Sequence, residues 1–263
     1  ENFPGYPEGV DGNRLMEDLR KQAERFGSDL RTGIITETWL NESPFRIKLD
    51  SGKEILTKTL IIATGATARY LGLESEQKFK GMGVSACATC DGFFYRGRDV
   101  AVVGGGDTAC EEAIYLSGLC RKVYMIVRRD VFRASKVMQK RVLTASNIEV
   151  LWEHQTQQIL GDDSGVTGAR LVHKSGRERT IDIHGFFLAI GHHPNSEPFL
   201  PWVRVNPEGY VITRPGTSET NVPGAFAAGD VQDPRYRQAI TAAGSGCMAA
   251  MDAERYLAMQ SGL

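Results

Sequence analysis

Nowhere in its 263 residues does the chain carry an apolar run approaching the roughly 20 residues that span a bilayer, so no membrane segment is expected. Charge of one sign is also missing. The 31 basic and 32 acidic residues leave a formal net charge of −1, which argues against a footprint for nucleic acid or an anionic membrane. Cysteine is sparse, and five is an odd number that makes no disulfide framework in a chain of this length. A reducing, cytoplasmic setting fits, with any disulfide transient and catalytic. The opening Glu1-Asn2-Phe3-Pro4-Gly5 has no initiator methionine, basic segment or apolar leader, and reads as processed or as internal to a longer protein.

Two of the few cysteines stand close together, in Ala86-Cys87-Ala88-Thr89-Cys90-Asp91. Thiols separated by two residues close a small, easily reduced disulfide ring. A structural zinc site would need two further ligands, and Cys110, Cys120 and Cys247 are scattered, so no metal is expected. Inert core cysteines are the other alternative, although Gly83, Asp91 and Gly92 suggest a loop. Cys110 and Cys120 read as buried packing residues, and Cys247 among small helix formers reads likewise.

A dinucleotide fingerprint follows. Asp99 to Val103 reads as a buried strand, and Gly104, Gly106, Asp107, Thr108 and Ala109 open the helix after it. Small residues at the first, third and sixth positions allow a tight turn, close approach of a phosphate and close helix–strand packing. After the next strand, Val123 to Val127, an NAD site usually carries an acid, whereas this chain has Arg128, Arg129 and Arg133 around Asp130. Guanidinium groups suit a 2′-phosphate, so NADPH is the expected nucleotide.

The chain also repeats a design. A strand, a Gly-containing turn, a return strand and an apolar run ending in glycine occur from Phe45 to Gly65 and again from Gly168 to Gly191. In the second copy Gly106 lies 85 positions before Gly191, and the same distance back from Gly65 passes beyond residue 1. The first copy is therefore expected to lack its own phosphate-binding turn. Ala66 to Leu71 and His192 to Pro198 read as crossings between two domains, and as hinges.

A hydride donor and a disulfide are usually joined by a flavin and a proton-moving group. Asp91 is the local candidate for the proton, with a turn or cap carboxylate as its alternative. Ala225 to Asp230 reads as a buried strand ending in an acid, and Arg237, Gln238 and Ala239 open a small-residue helix from Ala242 to Ala253. Such an acid and helix terminus suit a flavin.

These motifs stand in one order, together with Ile61 to Ala66, Gly83 to Phe94 and Tyr236 to Ile240. On them the chain closely resembles bacterial low-molecular-weight thioredoxin reductases over nearly its whole length. The resemblance implies an α/β fold of two Rossmann-like domains. An FAD domain (1–69 and 195–263, without its N-terminal Gly-rich segment) would hold an inserted NADPH domain (70–194) carrying the dithiol. It implies a homodimer passing electrons from NADPH through FAD and the disulfide to thioredoxin. Cys90 would be the flavin-proximal thiol, Cys87 the one exchanging with thioredoxin, and Asp91 the acid/base. Asp230, Arg237, Gln238 and Ala239 would contact FAD, with Asn2, Thr64 and Gly65 nearby. Gly191 belongs with the nucleotide residues. Phe93 and Phe94 would help dock thioredoxin, with core filling as their alternative. Val127 departs from relatives that carry histidine before the arginine pair. Other readings are a reductase of a peroxide-detoxifying system and a truncated, non-catalytic NADPH-binding module.

Overall fold

The structure is a computed structural model that describes residues 2–261. Its contacts separate two compact units. The second is Ala68–His192, and the first is the chain on either side of it, with each boundary two residues before the one read from the sequence.

The first unit begins at α1 (Gly12–Arg25), capped by Asp11, whose Oδ1 accepts the N–H groups of Asn13 and Arg14 at 2.9 and 3.1 Å. Its apolar positions repeat at helical spacing, yet none of its residues is buried. An antiparallel meander follows, formed by β1 (Ile35–Trp39), β2 (Phe45–Leu49) and β3 (Glu54–Thr57). Then β4 (Leu60–Ile62) leads to the first crossing, β5 (Ala66–Ala68).

In the second unit, α2 (Glu74–Lys78) is set by its own buried carboxylate. Glu76 is fully buried, and its two oxygens accept the backbone N–H groups of Leu71, Gly72 and Leu73 at 2.9, 2.9 and 3.3 Å. A buried charge needs such partners. The chain then runs through β6 (Val84–Ser85), α3 (Ala88–Asp91), β7 (Asp99–Val103), α4 (Asp107–Ser117), β8 (Lys122–Val127), α5 (Lys136–Thr144) and β9 (Ile148–Trp152). The meander β10 (His154–Asp162), β11 (Gly165–His173), β12 (Glu178–Asp182) and the strand β13 (Gly185–Leu188) complete it.

Five strands form one parallel sheet in the order β6-β13-β7-β8-β9. All five residues of β7 are buried, as a parallel strand covered on both faces requires. Val100 and Val102 pack with Ala109, Leu116, Met138 and Val142 of α4 and α5. Ala101 and Val103, on the opposite face, pack with Ile159, Leu171 and Ile181 of the meander. Strand periodicity thus divides one apolar run between two cores.

The second crossing, β14 (His192–Pro194), pairs with β5. The Arg69 N–H donates to Gly191 O, and the Asn195 N–H to Gly65 O, both at 3.0 Å. Back in the first unit, β15 (Ala225–Ala227) lies parallel to β4, and α6 (Ala239–Gln260) packs Ala249 and Ala253 against Phe226. That helix extends beyond the expected 242–253 at both ends. No helix among the described residues is long and apolar enough to cross a membrane.

Two local expectations are corrected, and one alternative, core filling by Phe93 and Phe94, is removed. The cysteine segment is not a loop, because Cys87 caps the single turn of α3, too short to show helical periodicity in sequence. Cys247 is exposed on α6, where only one stripe of a helix faces the core. Phe93 and Phe94 do not fill a core, being 60% and 58% exposed. Cys110 and Cys120 are buried, and that burial pushes both thiols up to about 11.

Candidate functional site

The cysteine pair is mounted on the core of the second unit. The Ser85 hydroxyl accepts the Cys87 N–H at 3.0 Å and turns the chain from β6 into α3. Ala88, between the cysteines, is buried with Val100 and Ala113. At the far end, a Cβ on Gly92 would lie 2.9 Å from Leu116 Cδ2, so glycine lets this segment approach α4. Between these anchors Cys87 and Cys90 are joined in a disulfide. Asp91 follows directly, half-buried, and its carboxylate makes no hydrogen bond or ion pair among the described residues. Burial, then the charge of Asp91, pushes the Tyr95 phenol up.

A cleft of about 560 Å³ opens in the same unit where β7, β8 and β13 end. Gly104 and Gly105 line one side of it, and Arg128, Arg129 and Arg133 another. Gly104 has φ of +144°, and a Cβ there would sit 2.5 Å from Ala189 O and 2.7 Å from Ala109 Cβ. Ala109 is fully buried, so its part is close helix–strand packing rather than contact with a ligand. Gly106 caps α4, and a Cβ built there meets nothing within 4 Å. Asp107 is turned toward α5, where its Oδ1 accepts the Ser135 N–H at 2.9 Å, a bond that holds the carboxyl below its ordinary range. Neither Asp107 nor Thr108 lines the cleft. Gly191 follows the lining residue Ile190, and its carbonyl is occupied by Arg69.

The three arginines are exposed, and no side chain among the described residues pairs with any of them. Their loop is fixed through its backbone, with the N–H groups of Arg133 and Ala134 donating to Gly105 O at 2.7 and 3.2 Å. Uncommitted guanidinium groups beside a helix N-terminus are suited to anionic phosphates. Sequence reasoning missed four further residues that line the cleft, Arg69, His154, Gln155 and Thr156. No motif marks these residues. Arg69 enters directly after β5, and the other three reach the cleft because β10 begins one residue after β9, across Glu153 with φ of +55°.

The remaining candidates lie in the first unit. Asn2 Nδ2 donates to Gln238 Oε1 at 2.8 Å. Gln238 caps α6, and Ala239 is its first residue. Thr64 is bound to Asn195, whose N–H donates to the carbonyl of Gly65. Asp230, in a 3-10 turn after β15, is half-buried and accepts no hydrogen bond among the described residues. Burial, reinforced by Asp233 and opposed by Arg237, raises its carboxyl above the ordinary range. The Arg237 N–H donates to Asp233 at 3.0 Å, and its guanidinium bonds the Pro234 carbonyl. A half-buried carboxylate without a donor partner fits a polyhydroxyl ligand such as the ribityl chain of a flavin.

The model of the pyridine nucleotide-disulphide oxidoreductase family matches residues 13–246. A thioredoxin reductase of Vibrio cholerae is 50% identical over 99% of this chain and 84% of its own length. One from Escherichia coli O157:H7 is 48% identical over 98% and 82%. The solved thioredoxin reductase of Giardia duodenalis superposes with a TM-score of 0.93 at 42% identity, covering 98% of this chain and 84% of its own. The chain belongs to the thioredoxin reductases, within the pyridine nucleotide-disulphide oxidoreductase family. As a thioredoxin reductase it is an oxidoreductase, and Cys87–Cys90 is its redox-active disulfide. The α/β fold with a parallel dinucleotide-type sheet is that of the family.

Proposed function

We propose that this chain reduces the disulfide of thioredoxin with NADPH, using FAD and the Cys87/Cys90 pair. The observation that carries the nucleotide half is the set of three uncommitted arginines beside Gly104 and Gly105. The balance is one NADPH and one proton for each disulfide opened to two thiols. FAD, when bound, supplies the two-electron relay between nicotinamide and disulfide. Arg128, Arg129 and Arg133 hold the 2′-phosphate, and the Gly104–Gly106 turn gives the pyrophosphate room at the start of α4. Asp230, Arg237, Gln238 and Ala239, with Asn2, Thr64 and Gly65, are the residues assigned to FAD, and the orphaned Asp230 carboxylate supports that assignment. Cys87 attacks the thioredoxin disulfide as a thiolate, Cys90 resolves the mixed disulfide, and Asp91 exchanges the proton at Cys90 Sγ. Exposed Phe93 and Phe94 are the docking surface beside the pair. A homodimer and a cytoplasmic location complete this reading and rest on the sequence resemblance.

The test is substitution of Cys87→Ser and Cys90→Ser in the full chain. Each is expected to abolish NADPH-dependent release of thiols from oxidised thioredoxin while leaving NADP⁺ affinity unchanged by calorimetry. Normal thioredoxin turnover in either variant would overturn the assignment.

A further inference from the structure

The cleft that the arginines line also carries two polar groups with no assigned task. Thr156 Oγ1 is buried and has no hydrogen-bond partner among the described residues. His154, two residues before it on β10, lines the same cleft. Its Nδ1 lies 2.6 Å from the Trp152 carbonyl. A carbonyl only accepts, so Nδ1 carries a hydrogen and Nε2 is the nitrogen left for a ligand.

We propose that His154 sets the choice between NADPH and NADH according to pH. This rests on the cleft being the nucleotide site. With Nδ1 protonated, the neutral ring offers only a lone pair at Nε2. That lone pair accepts a hydrogen bond from the ribose 2′-hydroxyl of NADH and repels the oxygens of a 2′-phosphate. The imidazolium favours the phosphate, because its Nε2–H donates a charge-assisted hydrogen bond to a phosphate oxygen, whereas a hydroxyl bonds the ring in either state, donating to the neutral form and accepting from the charged one. Histidine is the side chain whose ordinary charge change falls between about pH 5 and 8.

The charged surroundings leave this role to His154. On its own strand side, Glu153 is engaged elsewhere, with Lys174 Nζ at 2.9 Å and His173 Nε2 at 3.6 Å from its carboxylate. From β11, His173 meets the His154 ring edge-on, with centroids 5.0 Å apart. Asp130, exposed beside Arg129, does not line the cleft and acts on Lys174. The remaining charges facing the cleft are Arg69, Arg128, Arg129 and Arg133, all cationic. No carboxylate is left to balance an imidazolium here, so the balancing anion is the phosphate of the ligand. Binding of NADP⁺ then takes up a proton, and binding of NAD⁺ does not.

The experiment is calorimetric titration of the full chain with NADP⁺ and NAD⁺ at about pH 6 and about pH 8, in buffers of different ionisation enthalpy. The variants are His154→Gln and His154→Asn, which do not titrate. The variants are needed because the 2′-phosphate itself titrates near pH 6, and that contribution cancels between wild type and variant. The NADP⁺ preference of the wild type is expected to rise about five- to tenfold more than that of the variants on going to the lower pH. Proton uptake with NADP⁺ is read as the excess of the wild type over both variants, in which the phosphate's own titration cancels. Equal pH responses in wild type and variants, or no excess proton uptake in the wild type, would overturn the proposal. Failure of the wild type to bind either nucleotide would instead overturn the assignment of the cleft, and this proposal with it.

Discussion

Thr64 and Asn195 hold each other twice. Thr64 Oγ1 donates to the Asn195 carbonyl at 2.6 Å, and Asn195 Nδ2 donates to the Thr64 carbonyl at 2.9 Å. The two residues are 131 positions apart and sit beside the two crossings, on the first-unit side of each. Thr64 was expected near the flavin; what the structure gives its hydroxyl is this bracing bond. Asn195→Ala removes the bond from Asn195 Nδ2 and the one that Asn195 Oδ1 accepts from Thr67 Oγ1 at 3.0 Å. A loss of about 1–2 kcal/mol is expected in denaturant unfolding. An unchanged midpoint would show that the pair does not brace the first unit.

Replacing Arg128 and Arg129 with glutamine should weaken NADP⁺ far more than NAD⁺. Each lost hydrogen bond to a charged group is worth about 1.5–3 kcal/mol, which makes a ten- to hundredfold effect. Parallel titrations of the two nucleotides decide it, since equal losses would make the arginines general electrostatic contributors.

Thr156→Val removes a buried hydroxyl that has no protein partner. The folded chain should therefore lose no thermal stability and is expected to gain a little, because an unsatisfied buried group costs about 1–3 kcal/mol. Affinity for both nucleotides should fall together, at every pH. Reduced melting temperature with normal affinity would mean that the hydroxyl serves the fold.

Asp99 and Arg121 form a bidentate pair at 2.7 and 2.8 Å. The hydrogen bonds from Arg121, followed by its charge, hold the carboxyl below its ordinary 3.8 against the effect of burial. A carboxyl lowered on folding stabilises the native state above its unfolded value and loses that contribution as pH falls through the folded one. Asp99→Asn should thus destabilise at neutral pH, with the deficit shrinking below about pH 4. Urea unfolding across pH measures it, and a deficit constant with pH would remove the ionic contribution.

Thiol labelling separates the cysteines by burial. In the oxidised protein Cys247 should react first with a maleimide at neutral pH, since Cys110 and Cys120 are buried with thiols pushed up to about 11. Peptide mass spectrometry identifies the labelled residue. Reduction should add Cys87 and Cys90 to the reactive set.

Where local pattern dictates structure, the sequence was readable. The apolar run of β7, the Gly104–Ala109 turn and the arginines after β8 all follow from chemistry within one strand–helix unit. Glu76 was not readable, because its meaning lies in three backbone N–H groups that only the fold brings to it. His154 and Thr156 were missed for a related reason. They enter the cleft from a meander whose packing on the sheet no spacing announces. The turn of α3 is too short to show a period, and its position is set by Ala88 sinking into the core.

The pairing of β5 with β14 has a consequence for engineering. At that ribbon the Arg69 N–H and the Gly191 carbonyl are hydrogen-bonded, so the second unit starts and finishes at one point on its surface. A segment with adjacent ends behaves as a cassette, because a host chain can accept it in place of a tight loop without its own path being stretched. Ala68–His192 carries the disulfide and the arginine cleft together. Grafting it would transplant a thiol pair and an arginine-lined cleft as one heritable block.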